Sequence, residues 1–261
     1  MNLRHHLGRL RRSVLCTFFR RSAPLGNHGP IISFTFDDFP RSALSVGGSI
    51  LEQFGARGTY YVTGGLMNAC TELGELFNAE DLCTLVAKGH ELGTQTFHHS
   101  SCRKVSWGAF REDVKKGMKA VEHIRGHNST NFAYPYGHVT LRSKKSLGPA
   151  LASSRSNIPG LNGPEIDLNL LRANRLYGGV ENSPAVEELI SQNVKQKSWL
   201  IFYTHDVRRN PSRYGCTPEL FERAVSLAAS SGGRIVTVQK AVAEIGLRTP
   251  SAEIEFAEQI H

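Results

Sequence analysis

The chain reads as an α/β protein on a parallel sheet closed into a barrel, and three observations predict it. Short runs of β-branched and aromatic residues recur along the 261 residues, segments with helical apolar spacing stand between them, and no repeat or low-complexity stretch breaks the alternation. Strands alternating with helices imply parallel pairing, and seven or eight of them in a chain of this length suit a (β/α) barrel.

The first strand organises the rest. Residues 31–40 read IISFTFDDFP; Ile31, Ile32, Phe34, Thr35 and Phe36 favour a buried strand, and Pro40 forbids its continuation. Asp37 and Asp38 then fall at the C-terminal end of the strand, where α/β folds build their sites. An ordinary polar turn explains the same four residues, so the pair alone decides nothing.

The remaining elements follow in order. Leu44, Ile50, Leu51 and Phe54 give residues 42–54 helical spacing, and Thr59 to Val62 form a second strand after Gly55 and Gly58. Residues 79–88 read as a helix ended by Gly89, with a short strand near 90–94. Ser106 caps a helix to about Ile124, and Asn131 to Tyr134 form a strand stopped by Pro135. Further strands are expected at 150–153, 172–177, 199–204 and 234–238, with helices near 184–194, 218–230 and 239–246. The polar segment 153–169, which carries Gly and Pro, is expected to be a long loop.

Charge is unevenly spread. The formal net charge is +8, but Arg4, Arg9, Arg11, Arg12, Arg20 and Arg21 supply six charges within the first 30 residues, which hold no Asp or Glu, leaving 8 − 6 = +2 for the remainder. The basicity therefore describes an arm and is not read as a nucleic-acid footprint. In that arm Leu3, Leu7, Leu10, Val14 and Phe18 recur at helical spacing, which suits either a basic amphipathic helix in peripheral contact with an anionic membrane or a loosely packed leader. The apolar run between Arg12 and Arg20 is too short for a signal peptide, and the five cysteines form no CxxC pair. Both point to the cytoplasm, at the inner membrane surface if the arm attaches there. The expected organisation is an arm over 1–29, one catalytic domain over 30–246 and a tail over 247–261.

Polar residues then gather at successive strand ends. Asp37 and Asp38 follow the first strand, Gln95, His98 and His99 the third, Tyr134-Pro-Tyr-Gly-His138 the fourth, and His205 with Asp206 the Trp199 strand. A single histidine is more often a hydrogen-bonded loop residue than a ligand, but four such groups at one end of a barrel are a site pattern.

With these motifs in place the chain resembles the polysaccharide deacetylases of the NodB-homology type, carbohydrate esterase family 4, over about residues 30–245. TFDDFP at 35–40 resembles the family's TFDDGP, GHELGTQTFHH at 89–99 its G-H-E-x-G-x-H-T-x-x-H, FAYPYG at 132–137 its F-R-x-P-x-G, and FYTHD at 202–206 its late L-x-H-D. The resemblance implies a distorted (β/α) barrel of about seven or eight parallel strands. It also implies a hydrolase that uses a divalent metal (Zn, Co, Ni or Mn) to remove acetyl groups from acetylated oligo- or polysaccharides. Carried over by residue, it makes Asp37 the catalytic base, Asp38 and His99 metal ligands, His205 the general acid, and Pro135-Tyr136 the oxyanion turn. Asp206 is a candidate to orient His205, or a loop cap.

Three departures accompany the match. Gln95 stands where the family has its first histidine ligand, and an amide oxygen is a harder, weaker donor than imidazole; His98 substitutes only if the loop is reshaped. Phe39 replaces a glycine, so the turn cannot depend on glycine's freedom at positive φ. Ala133 replaces the arginine that would pair with the base; beyond these three, no residue matches the aspartate motif that tunes the acid, and Arg175 and Asp167 lie in the part of the chain where they would compensate for the two losses. Two functions remain open: an altered but competent deacetylase, supported by Asp37, Asp38, His99 and His205, and a non-catalytic glycan- or partner-binding protein, supported by Gln95 and Ala133.

Overall fold

The computed structural model describes residues 3–125 and 130–246. In chain order it contains helix α1 (Leu3–Thr17), strands β1 (Ser22–Pro24) and β2 (Ile31–Asp37), and a π-helical turn (Ala43–Gly48) leading into α2 (Ser49–Gln53). Then come β3 (Thr59–Val62), the hairpin β4 (Cys70–Thr71) and β5 (Gly74–Glu75), α3 (Ala79–Ala87), β6 (Glu91–Thr94), α4 (Trp107–Arg125), β7 (Asn131–Ala133) and α5 (Leu141–Leu147). The last third holds β8 (Ser153–Arg155), β9 (Glu165–Asp167), β10 (Asn174–Arg175), α6 (Ser183–Gln196), β11 (Trp199–Thr204), α7 (Pro218–Ser230), β12 (Arg234–Ile235) and α8 (Val238–Glu244).

Seven strands form one curled parallel sheet in the order β10, β11, β2, β3, β6, β7, β8, and β12 joins β2 at Ile31 and Ile32 below the point where β3 begins. The result is a distorted half-barrel. β8 and β10 do not pair with each other; a single Arg155–Leu171 bridge approaches across that gap. Because every strand of this sheet runs the same way, the residues after each strand collect on one rim.

β2 lies at the centre, and its side chains are buried on both faces up to Asp37, as its continuous apolar run requires. Phe34 stacks on Phe202 and Phe36 on Tyr60, with Phe221 of α7 closing that layer. Asn78 and Asp81 form a reciprocal capping box that starts α3, and Thr217 caps α7 through the Leu220 N–H with Pro218 at the first helical position.

Several expectations change. The fifth strand begins three residues later than read, at Ser153, because Gly148–Ala150 is a 3-10 turn. The segment 153–169 is not a loop throughout: it holds β8 and β9. The arm is not separate from the domain either. Ser22–Pro24 pairs antiparallel with Glu165–Asp167, and Leu15, Ala23 and Leu25 are buried. The buried Lys144 ammonium donates to the Leu15 carbonyl at the end of α1 and to the Phe18 carbonyl just beyond it, at 2.7 and 2.8 Å, and to Asp167 at 2.6 Å, satisfying carbonyls that a helix end leaves open. Asp167, a candidate to replace the missing acid-tuning aspartate, is committed to this anchor. Among the described residues no helix is long and apolar enough to cross a membrane. The expected tail at 247–261 lies outside the described residues, as do the side chains of Leu3 and Leu7.

Candidate active site

The strand ends of the sheet enclose a cavity of about 500 Å³ whose lining includes Asp37, Asp38, Gln95, His99, Arg155 and His205. Residues more than 160 positions apart in sequence therefore share one hollow, because β11, β2, β3 and β6 are neighbours in the sheet.

Asp38 is the hub. One carboxylate oxygen accepts from Thr63 Oγ1 at 3.2 Å and from Gln95 Nε2 at 3.0 Å, and lies 3.4 Å from His99 Nε2; its other oxygen is 3.9 Å from His205 Nε2. His205 Nδ1 faces the Tyr214 carbonyl at 3.2 Å, an acceptor only, so that nitrogen carries the proton and Nε2 is turned to the cavity. His99 packs on the Tyr136 ring with centroids 4.4 Å apart.

The turns that aim these groups are wound left-handed. Asp38 (φ 58°), Phe39 (46°), His99 (57°) and Tyr136 (59°) are four of the seven non-glycine residues with positive φ among the described residues. Such residues are uncommon, and clustering at one cavity marks a constrained site. Phe39 takes up this backbone without glycine's freedom. Its ring is fully buried, stacked on Phe77 at 5.4 Å and beside Tyr60 at 4.9 Å, so packing supplies what glycine would have allowed for free. In the next turn the Tyr136 N–H is not consumed by the local hydrogen bonds, which run from Gly137 N to Tyr134 O and from His138 N to Pro135 O.

Asp37 has a partner that sequence reasoning missed. Arg155 Nη2 donates to Asp37 Oδ1 in a short charged hydrogen bond. Its guanidinium lies between the rings of Tyr61 and Tyr203, 5.0 and 5.2 Å from their centroids. Burial opposes the cation, but Asp37 together with the Tyr61 and Tyr203 hydroxyls outweighs it and holds the Arg155 pKa above the ordinary arginine value. Ala133 and Arg155 are paired across β7 and β8. The guanidinium absent at position 133 is thus delivered from the adjacent strand at the same level. An arginine at the end of Ser-Ser-Arg was the available signal, hidden because 153–169 read as loop. Arg175, the expected compensator, is not among the cavity-lining residues.

Other expected supports lie elsewhere. His98 is bound at Nδ1 to Asp113 of α4 at 2.6 Å and points away from the cavity, so it does not replace Gln95. Asp206 does not touch the His205 ring. It is fully buried and accepts from Arg208 Nε and Ser212 N, each at 2.8 Å, which makes it the organiser of the loop after β11. Tyr177, Tyr203 and Tyr214, none of them anticipated, complete an aromatic wall; burial raises the Tyr177 and Tyr203 hydroxyl pKa values, keeping both protonated as donors.

The donors for a cation are few. Among the described residues no cluster of three or more His, Cys, Asp or Glu side chains suits a metal ion. Asp38 and His99 converge, and Gln95 offers its amide nitrogen to Asp38. Turning that amide over brings its oxygen to the same place, and the set of carboxylate, imidazole and amide oxygen then fits a divalent ion that accepts oxygen ligands.

The family model for polysaccharide deacetylase matches residues 26–149, the stretch that carries Asp37, Asp38, Gln95, His99 and Tyr136. Residues 26–149 belong to the polysaccharide deacetylase family. No curated protein is significantly similar in sequence. Among solved structures the chain is similar to a family 4 acetyl xylan esterase from Clostridium thermocellum in complex with a cobalt ion, at 18% identity, covering 85% of this chain and 95% of that one with a TM-score of 0.57. A T48 deacetylase with substrate is also 18% identical, with 87% and 97% covered and a TM-score of 0.54. A variant of the peptidoglycan deacetylase PdaC from Bacillus subtilis is 16% identical, with 84% and 92% covered and a TM-score of 0.52. At these identities the likeness is one of fold.

Proposed function

We propose that this deacetylase-family chain hydrolyses the acetyl group of N- or O-acetylated saccharides, with Asp37 as general base, His205 as general acid and a divalent cation held by Asp38, His99 and the Gln95 amide oxygen. The observation that carries the reading is the joint placement of an arginine-held Asp37 and a tautomer-fixed His205 around Asp38 in one cavity. A bound cation in this position lowers the pKa of water and polarises the acetyl carbonyl.

The chain's own groups supply the rest. Arg155 fixes the orientation of Asp37, so its free oxygen can take a proton from an attacking water, a contribution of about 10²–10⁴ for a positioned base. The Tyr136 N–H, on its left-handed turn, donates to the developing oxyanion, worth roughly 10²–10³. His205, with Nδ1–H already held by Tyr214, passes a proton from Nε2 to the leaving amine or alcohol when the ring is an imidazolium. Tyr177, Tyr203 and Tyr214 offer stacking faces and hydroxyls to a sugar.

Acetate release from an acetylated chito-oligosaccharide and from an aryl acetate, measured with Mn²⁺, Co²⁺, Ni²⁺ and Zn²⁺ in turn, tests the reading. Activity with at least one ion that disappears in Asp37→Asn is expected. A wild-type protein silent with all four ions favours the second reading, glycan binding without turnover, whose specific support is the Gln95 amide hydrogen-bonded to Asp38 in place of an imidazole.

A further inference from the structure

The outer edge of the cavity carries a cluster of positive charge that the proposed chemistry does not use. Tyr136, whose ring touches His99 inside, turns its outer side to His138, with ring centroids 5.5 Å apart, and to Lys104, whose Nζ lies 5.6 Å from the Tyr136 centroid. Behind them Arg11 of α1 and Arg103 converge: both donate a guanidinium N–H to the single carbonyl of Val139, at 3.3 and 3.4 Å. Arg11, Arg103 and Lys104 are all exposed.

Among the described residues no carboxylate balances this cluster. Among the described residues none of Arg11, Arg103 and Lys104 takes part in an ion pair, although ion pairs are formed all around the molecule. The imbalance registers on its neighbours. Burial and the charges of Arg103, Arg11 and Lys104 lower the His138 pKa, and burial with Arg11 lowers that of Arg103. Three like charges gathered without a counter-ion cost stability unless an anion joins them, and two guanidiniums presented side by side match the several oxygens of a phosphate better than a single carboxylate.

Resting on the deacetylase reading, we infer that the substrate is an acetylated saccharide bearing a phosphate or diphosphate ester, its acetyl group in the cavity and its phosphate on Arg11, Arg103 and Lys104 beyond Tyr136. The Arg-rich α1 then belongs to substrate recognition, which accounts for its anchoring to the domain through Lys144 rather than standing free. A phosphate carried by a nucleotide and one carried by a lipid present the same group to these three cations.

Calorimetric titration separates this inference from turnover. N-acetylglucosamine 1-phosphate should bind at least about tenfold tighter than N-acetylglucosamine at low salt, the advantage should shrink as salt rises, and it should collapse toward equality in Arg11→Ala/Arg103→Ala. Lys104→Glu, a surface change unable to loosen α1, provides a second variant and should reverse the advantage. Titration of a nucleoside-diphosphate-linked and a polyprenyl-phosphate-linked acetylated sugar identifies the carrier, and either result supports the inference. Equal affinities for the phosphorylated and neutral sugars, or an advantage that survives in both variants, overturns it. So does loss of binding to anionic phospholipid vesicles in those variants with sugar affinities unchanged, since the cluster would then serve a membrane. If phosphosugar binding is found but no acetate is ever released, the deacetylase reading falls and the anion site stands.

Discussion

Removing the Arg155 guanidinium is the sharpest test of how the site is built. In Arg155→Ala the Asp37 carboxylate, 14% exposed, loses the partner that lies against it between two tyrosine rings. Breaking one side of a buried pair typically costs about 3–5 kcal/mol, and for a chain of this size each kcal/mol moves the melting temperature by about 2–4 °C, so a fall of roughly 6–20 °C is expected. Activity should fall by on the order of 10² or more, because the base loses its orientation as well as its neighbour. Since Ala133 and Arg155 sit opposite one another with strands about 4.8 Å apart, Ala133→Arg in the Arg155→Ala background should recover part of both losses. Arg155→Lys should recover less, having one point charge in place of a planar fork. Thermal melts and acetate-release kinetics on the four proteins give the comparison. A single Arg155→Ala variant with an unchanged melting temperature and unchanged kcat would refute the argument.

Three further outcomes are expected. Gln95→His should raise divalent-metal affinity on the order of 10–100-fold by calorimetry, most for zinc and cobalt, because imidazole replaces an amide oxygen; equal affinity would mean that Gln95 does not face the cation. His90 accepts from the Gly58 N–H at Nδ1 and faces Glu52 through Nε2, and burial depresses its pKa. The folded protein then binds fewer protons than the unfolded chain below about pH 6.5, so stability should be full above that pH and fall as pH drops, with a slope of at most about 1.4 kcal/mol per pH unit from this group, and His90→Gln should flatten that limb of the melting curve. Gly137 has φ +63° and a Cβ there would collide with the Asn157 side chain. Gly137→Ala should therefore cost about 1–2 kcal/mol in strain and lower kcat by displacing the adjacent Tyr136 N–H, which acetate-release kinetics alongside thermal melts will read.

Much of the frame was legible in the residues themselves. Strands 59–62 and 199–204 and helix 218–230 fall where their β-branched and aromatic runs, or the Thr217-Pro218 start, place them. These elements carry their information locally, in side-chain shape and caps. The gathering of Asp37, Asp38, Gln95, His99, Tyr136 and His205 at one rim followed from strand alternation, since parallel strands bring all their C-terminal ends together. Three-residue strands such as Ser153–Arg155 have too few side chains to show a period, so position 155 passed for loop.

What the amino-acid order determined alone is therefore the sheet, its polarity and the list of groups at its rim. The tertiary structure decided which groups meet. Arg155 and not Arg175 holds Asp37, Asp206 holds a loop and not His205, and His98 turns away to Asp113. Contacts between distant segments depend on strand order, register and the hand of single turns, and Phe39 shows the reason: its left-handed backbone, unfavourable by its own chemistry, exists because Phe77 and Tyr60 pack around its ring.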